Sequence, residues 1–406
     1  MFDYVISPLT RDSFLADFWG RSFLHRPGNP GKFASLLPWS ELNGVLEQHE
    51  LEPPRFRLFQ DGKAVDQARF TSILDGARRL RSRDFVQCLA KGATLIVDRM
   101  DELSPSVRRL AEAFEDVLRA PTCVNLYAGW RTQKGLDLHW DSQDTLILQI
   151  SGRKHWRVYA PTRLHPLRAD VGKVPTPTAQ PVWDSILADG DAIYLPRGWW
   201  HVAFPVNEPS LHLTVTVLPS HGVDVLEWLV RRLQRHDEVR ANAPLVGSAS
   251  QRTRYLSRLQ ELVTMALHDA DLLERFQQEW EARIPLRARV RLPFAPTEQL
   301  APIITMDTHI RLATTWRLVF HAPIDDGKVR FAAGAVEAEC DAELVPALKH
   351  LSATAPCSVR ELCTHLPNEE SARRLKTLLA VLALQGSIWT EQSSDPDDGR
   401  RVGVEP

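Results

Sequence analysis

Residues 135–159 read GLDLHWDSQDTLILQISGRKHWRVY. Within them Thr145 to Ile150 is a run of apolar, β-favouring residues, Ser151-Gly152 is turn chemistry, and Lys154 to Tyr159 alternates, so the stretch predicts two strands joined by a short turn. The same texture continues on both sides. Cys123 to Tyr127, Ala192 to Leu195, His201 to Phe204 and Leu211 to Leu218 read as further strands, with Asp189-Gly190-Asp191 as the turn before one of them. Short strands spaced by turn residues in this way predict a β-barrel or sandwich.

Chemistry enters just ahead of the first of these strands. His139 and Asp141 stand two residues apart, so on an extended segment they point the same way and can grip one metal ion. A third ligand has to come from a distant strand. His201 lies 62 residues further on, after the tight turn Pro196-Arg197-Gly198-Trp199. Two imidazoles and one carboxylate on one side of a metal leave open positions, which suits non-haem Fe(II) and oxygen chemistry; a histidine packed beside Trp200 is the plain alternative. In the next strand Lys154, Trp156 and Val158 share one face, and His155, Arg157 and Tyr159 the other. If the first face is the barrel interior, Lys154 needs an anion such as a cosubstrate carboxylate. If it faces water, Lys154 is an ordinary surface lysine.

Around this centre the chain is helical. Thr10 is a cap for a turn carrying Phe14, Leu15, Phe18 and Trp19, and Ser104-Pro105 opens a helix with the stripe Val107, Leu110, Phe114, Val117 and Leu118. From about Val223 to Arg283 the apolar period is again helical. Beyond Pro285, Leu286 to Leu292 alternates like a strand, Thr314 to Phe320 and Lys328 to Ala333 flank the turn Asp325-Asp326-Gly327, and three helices (Ala342 to Leu351, Ser358 to His365, Glu370 to Gln385) precede a strand at Ser387 to Thr390. That last order is the order of a winged helix.

The 406 residues are 44% hydrophobic and 25% charged, with a formal net charge of -2, which argues against a polyanion or an anionic membrane as the main partner. No apolar run is long enough to span a bilayer, Met1-Phe2-Asp3-Tyr4 opens no signal peptide, and the five cysteines include no CxxC pair, so reduced thiols and a cytoplasmic location are expected.

Several motifs together resemble one family. Asn125-Leu-Tyr127, GLDLHWD (135–141), LQISGRKHW (148–156), GDAIYLPRGWWH (190–201) and SLHLT (210–214) are similar in order and spacing to the bacterial JmjC (cupin-like) 2-oxoglutarate oxygenases, and most nearly to the ribosomal oxygenases, which hydroxylate ribosomal proteins. The resemblance spans about residues 5–230, with a weaker likeness beyond. It implies a mixed α+β chain: a double-stranded β-helix (JmjC/cupin) oxygenase domain with N-terminal helices over 1–221, a helical dimerisation unit over 222–284, a winged-helix-like domain over 285–392 and a flexible tail over 393–406. It implies that His139, Asp141 and His201 bind Fe(II). Lys154, fifteen residues after the first ligand, would bind the distal carboxylate of 2-oxoglutarate. Asn125 and Thr214 are carried as cosubstrate-lining residues, against a strand-end cap and ordinary β propensity as the plain readings. Trp130, Trp140, Trp156, Trp199 and Trp200 are candidate pocket walls or ordinary core. Leu136 departs from relatives that place a hydroxyl there.

The expected activity is hydroxylation of a protein side chain, with a ribosomal protein as the partner the resemblance implies. A tailoring hydroxylase of a ribosomally made peptide or small metabolite is the first alternative, and a non-catalytic metal-binding cupin or winged-helix regulator the second. Direct nucleic-acid binding is not expected: the segment from Asp341 to Pro406 is net acidic, and Glu370 to Gln385 is largely apolar after Lys376. Arg78, Arg79, Arg81 and Arg83 read as a solvated helix face. A homodimer is expected through Trp228, Leu229, Leu233, Leu259, Leu262 and Met265, with burial against the barrel as the alternative.

Overall fold

A computed structural model describes residues 1–49, 52–74, 76–285, 287, 304–323, 327–333, 336–354 and 356–390. The chain divides into two compact units, Met1–Pro219 and Ser220–Pro406. Among the described residues no helix is long and apolar enough to cross a membrane.

The first unit is built on two antiparallel sheets. The larger runs in the order Leu24–Arg26, Ala192–Leu195, Asp144–Ser151, Ser210–Val217, Thr122–Gly129, Thr94–Val97, Phe56–Gln60 and Lys63–Ala64, and the smaller in the order Trp183–Leu187, Lys154–Tyr159 and Trp200–Pro205. Asp144–Ser151 and Lys154–Tyr159 belong to different sheets, so Ser151-Gly152 carries the chain from one layer to the other instead of closing a hairpin. This crossing between layers is the double-stranded β-helix of cupins.

Strand alternation then gives the large sheet two unlike faces. Val124, Leu126 and Ala128, Leu146, Leu148 and Ile150, and Leu211, Leu213 and Val215 join one continuous core. The helix Pro105–Leu118 closes that core with Val107, Leu110, Ala111 and Phe114, its first turn capped by Ser104 Oγ, which accepts from Val107 N. Phe2 sits edge-on to Phe114 at 4.9 Å and to Phe14 at 5.7 Å. Thr10 caps its turn as expected, but Phe14–Phe18 widens into a π-helical turn. Tyr194 ties this segment to the sheet: its hydroxyl accepts from Gly20 N at 2.7 Å and donates to Asp144 at 2.6 Å. The intervening residues of the same strands face the smaller sheet, and the site lies there.

Ser220–Pro406 contains separate cores. The helices Gly222–Leu233, Ala249–Leu267 and Leu272–Glu281 bury Trp228, Leu229, Leu233, Leu262 and Phe276 together. Four of the six residues expected at a dimer surface are therefore consumed inside this helical unit; Leu259 is half-buried, and only Met265 is exposed. In the remainder, His309–Leu312 pairs with Cys357–Ser358 and Ile388–Thr390, beside the meander Leu318–Pro323, Lys328–Ala333 and Val336–Asp341. The helices Val345–Ala353, Val359–Cys363 and Glu369–Leu384 follow the expected order, with Leu375, Leu379 and Leu382 buried. Ser358 and Glu361 form a reciprocal cap at the second. Most of the strand expected at Leu286 to Leu292, Asp325 and Asp326 of the expected turn, and the tail over 393–406 lie outside the described residues. The arginine cluster is not one helix face. Arg78 and Arg79 lie in the strand Ala77–Leu80, paired with Thr71–Leu74, and Arg83 lies in the helix Ser82–Ala90.

Candidate metal centre and cosubstrate pocket

His139 and His201 meet as an antiparallel bridge: His139 N donates to His201 O at 3.2 Å, and His201 N to His139 O at 2.7 Å. Gly198 N donates to the carbonyl of Asp141 at 2.9 Å, so the two ligand-bearing segments are fastened to each other through their backbones. The turn that delivers His201 needs glycine. Gly198 has φ +85°, and a Cβ there would lie 2.6 Å from Pro166 Cδ.

The ligand atoms of His139, Asp141 and His201 all fall within 4.8 Å of one another. Asp141 Oδ1 is 4.0 Å from His139 Nε2, and Asp141 Oδ2 is 3.6 Å from His201 Nε2. Each imidazole is held from behind. His139 Nδ1 lies 2.7 Å from the carbonyl of Asp137, and His201 Nδ1 lies 3.1 Å from that of Trp199. With both Nδ1–H groups donated to carbonyls, both Nε2 lone pairs face the same point, which is the tautomer a metal requires. Burial and the neighbouring His139 push His201 down to about 4 against the pull of Asp141, so its ring is neutral and ready to ligate. The donor set, two imidazoles and one carboxylate on one side, fits a divalent first-row metal with open positions.

A pocket extends from this centre. Its lining includes Tyr127, Thr145, Lys154, Trp156, His212 and Thr214 with the triad. Lys154 faces inward as the first of the two readings required: Lys154, Trp156 and Val158 are buried, whereas Arg157 is exposed. Burial pushes the Lys154 ammonium down to about 7, and among the described residues no carboxylate pairs with it. A buried cation without a counter-ion at the wall of a pocket fits an anionic ligand. Leu136 and Gly135 also line the pocket, and a Cβ on Gly135 would come within 2.7 Å of Thr94 Oγ1.

The other expected residues divide. Thr214 lines the pocket. Asn125 is not among the lining residues: from the middle of Thr122–Gly129 its amide oxygen accepts from Arg99 N at 3.0 Å, where the Arg99 backbone is left-handed. Of the five tryptophans only Trp156 lines the pocket; Trp200 is buried with its indole N–H given to Thr162 Oγ1, Trp199 stacks on Phe23, Trp130 packs on Trp39, and Trp140 is buried. His212 and Tyr127, both within the quoted motifs, gain a place in the pocket that the sequence reading did not assign them.

The sequence profile of the JmjC domain family matches residues 100–225, which carry the triad, Lys154 and the strands that hold them. Residues 100–225 are a JmjC domain. The bifunctional lysine-specific demethylase and histidyl-hydroxylase NO66 of Drosophila mojavensis is 26% identical over 313 residues, 69% of this chain and 34% of the relative. Ribosomal oxygenase 1 of Gallus gallus is 24% identical over 295 residues, 65% of this chain and 47% of the relative. The chain spans about a third of the length of the Drosophila relative and less than half of the chicken one. Among solved structures, that of YcfD, a ribosomal oxygenase from Escherichia coli, in complex with cobalt and 2-oxoglutarate shares the fold, with TM-score 0.58 and 16% identity over 95% of this chain and 99% of that one.

Proposed function

We propose that this chain is an Fe(II)- and 2-oxoglutarate-dependent oxygenase that hydroxylates a side chain of a protein, with a ribosomal protein as substrate in the cytoplasm. The observation that carries the reading is the meeting, in one pocket, of a two-histidine, one-carboxylate cluster and a buried lysine with no acidic partner among the described residues. In this reading His139, Asp141 and His201 hold the iron. Lys154 donates to the distal carboxylate of 2-oxoglutarate, and Thr214 lines the same cavity. Iron, 2-oxoglutarate and dioxygen together supply the C–H oxidation, with succinate and carbon dioxide as the cosubstrate's products. The protein's own part is placement: the carbonyls of Asp137 and Trp199 fix the imidazoles, and Tyr127, Ile147 and Trp156 keep the pocket wall largely apolar.

The substrate class draws its support from the relatives, one named a ribosomal oxygenase and another a histidyl-hydroxylase. A protein substrate must present a side chain within a few ångströms of the metal, which an exposed loop or extended segment can do. Incubating the full-length protein with iron, ascorbate, 2-oxoglutarate and isolated ribosomal proteins should yield succinate and a peptide heavier by one oxygen. Succinate that no protein or peptide fraction stimulates would shift the substrate to a small metabolite.

The units over 222–284 and 285–392 act, in this reading, as a dimerisation element and a docking element. On Gly222–Leu233 the residues Val223, Leu226 and Val230 form one exposed apolar stripe, and on Ala249–Leu267 so do Leu256, Val263 and Leu267. These, in place of the buried Trp228 and Leu262, are the dimer residues. Light scattering at micromolar concentration is expected to give twice the 46.0 kDa chain mass, and Leu226→Glu with Val230→Glu to halve it. A wild-type monomer would sink this assignment.

A further inference from the structure

His212 stands on Ser210–Val217, opposite Gln149 on one neighbouring strand and Tyr127 on the other. It is buried, and its imidazole is fixed on two sides. Tyr127 lies flat against it, with centroids 4.9 Å apart and planes 9° from parallel, and Trp156 meets it edge-on at 5.6 Å. Held so, the ring directs Nδ1 at the Lys154 ammonium, 3.2 Å away. We propose that His212 is the positioning residue for Lys154: it accepts one ammonium N–H and turns the other two toward the pocket, so that the lysine meets the distal carboxylate of the cosubstrate already oriented. This rests on the reading of the pocket given above.

The choice of a histidine has a physical reason. A long lysine side chain loses considerable rotamer freedom when it is fixed, and an acceptor that fixes it beforehand removes that cost from ligand binding. An aspartate or glutamate would fix it as well but would cancel its charge and compete with the incoming carboxylate. A neutral imidazole anchors the ammonium and leaves the charge for the ligand. Burial, followed by the adjacent Lys154 ammonium, holds the His212 ring well below its ordinary protonation range, so it stays an acceptor.

The test is calorimetric titration of 2-oxoglutarate into the full-length protein loaded with Mn(II), an ion that supports binding without turnover. His212→Leu, which keeps the bulk and removes the acceptor, should weaken 2-oxoglutarate about ten- to a hundredfold, the range for one hydrogen bond to a charged group. Its Mn(II) stoichiometry should be unchanged. His212→Asn, whose amide oxygen can occupy the place of Nδ1, should recover affinity to within about threefold of wild type. His212→Asp should bind more weakly than His212→Leu, because the new carboxylate claims the ammonium. Equal losses in His212→Leu and His212→Asn would reduce His212 to a packing residue, and unchanged affinity in His212→Leu would remove it from the site. A wild-type protein that binds Mn(II) but not 2-oxoglutarate would overturn the reading of the pocket itself, and this inference with it.

Discussion

His201→Ala is expected to abolish iron binding at equimolar metal and to take succinate formation with it. The three candidate ligands supply one donor atom each, so removing one leaves only two protein donors. Losing a mere outer-shell partner of a metal ligand typically costs about ten- to a hundredfold in affinity or activity, and losing the ligand should cost at least the upper end of that range. His139→Ala and Asp141→Ala should behave alike, because the three donors lie within 4.8 Å of one another and no other group of three or more such residues is found among the described residues. The carbonyls behind the two imidazoles predict a further result. The His139 and His201 rings are oriented by the carbonyls of Asp137 and Trp199, which belong to the backbone, so Asp137→Ala should leave iron stoichiometry intact. Iron content measured on the reconstituted, desalted proteins checks this. Full stoichiometry in both His139→Ala and His201→Ala would remove the metal from this site.

The triad was legible from sequence because its signals are short in range. His139 and Asp141 are two residues apart, and His201 follows a turn that needs Gly198 at φ +85°, so each local segment announces its own geometry. The inward face of Lys154 was legible as a condition only. Alternation groups it with Trp156 and Val158, but which face is interior depends on a second sheet that no local pattern specifies. For the same reason Ser151-Gly152 was legible as a turn but not as a crossing between sheets: its residues do form a turn, yet the pairing partners of the flanking strands lie tens of residues away.

Other elements carried too little signal. Thr94–Val97 is four residues long, three of them apolar, and buried throughout, so its periodicity favours neither helix nor strand, and Trp183–Leu187 is an edge strand with Asp184, Ser185 and Ile186 exposed. Trp228, Leu229, Leu233 and Leu262 were expected at a dimer surface through the rule that apolar helix faces seek cover. The rule held, but Phe276 on a third helix supplied the cover for Trp228, Leu229, Leu233 and Leu262. His212 passed unnoticed because a histidine inside an apolar strand is read as core, and its role depends on a lysine 58 residues away.

Lys154 offers the second large effect, and one whose stability and binding consequences have opposite signs. Lys154→Ala should weaken 2-oxoglutarate binding between about thirtyfold and several thousandfold, corresponding to the roughly 2 to 5 kcal/mol lost when a buried charge partner is removed. The wild-type affinity should also depend on pH. In the free protein burial holds the ammonium at about 7, so above that pH the lysine must take up a proton before it can meet the carboxylate, and affinity should fall by up to about tenfold per pH unit. The variant should lack this slope. For stability the sign reverses. The folded lysine titrates near 7 and the unfolded one near its ordinary value of about 10.4, so between these the unfolded chain binds more protons and stability rises with pH. The cost of burying the ammonium is greatest below pH 7 and fades as the pH approaches 10. Lys154→Met, similar in length and uncharged, should therefore raise the thermal midpoint without ligand, by more at pH 6.5 than at pH 9, while it loses 2-oxoglutarate. Thermal scans and calorimetry at the two pH values measure both halves. Unchanged 2-oxoglutarate affinity in Lys154→Ala would sink the carboxylate contact, and a stability gain independent of pH would mean that Lys154 is not carried as a buried cation at all.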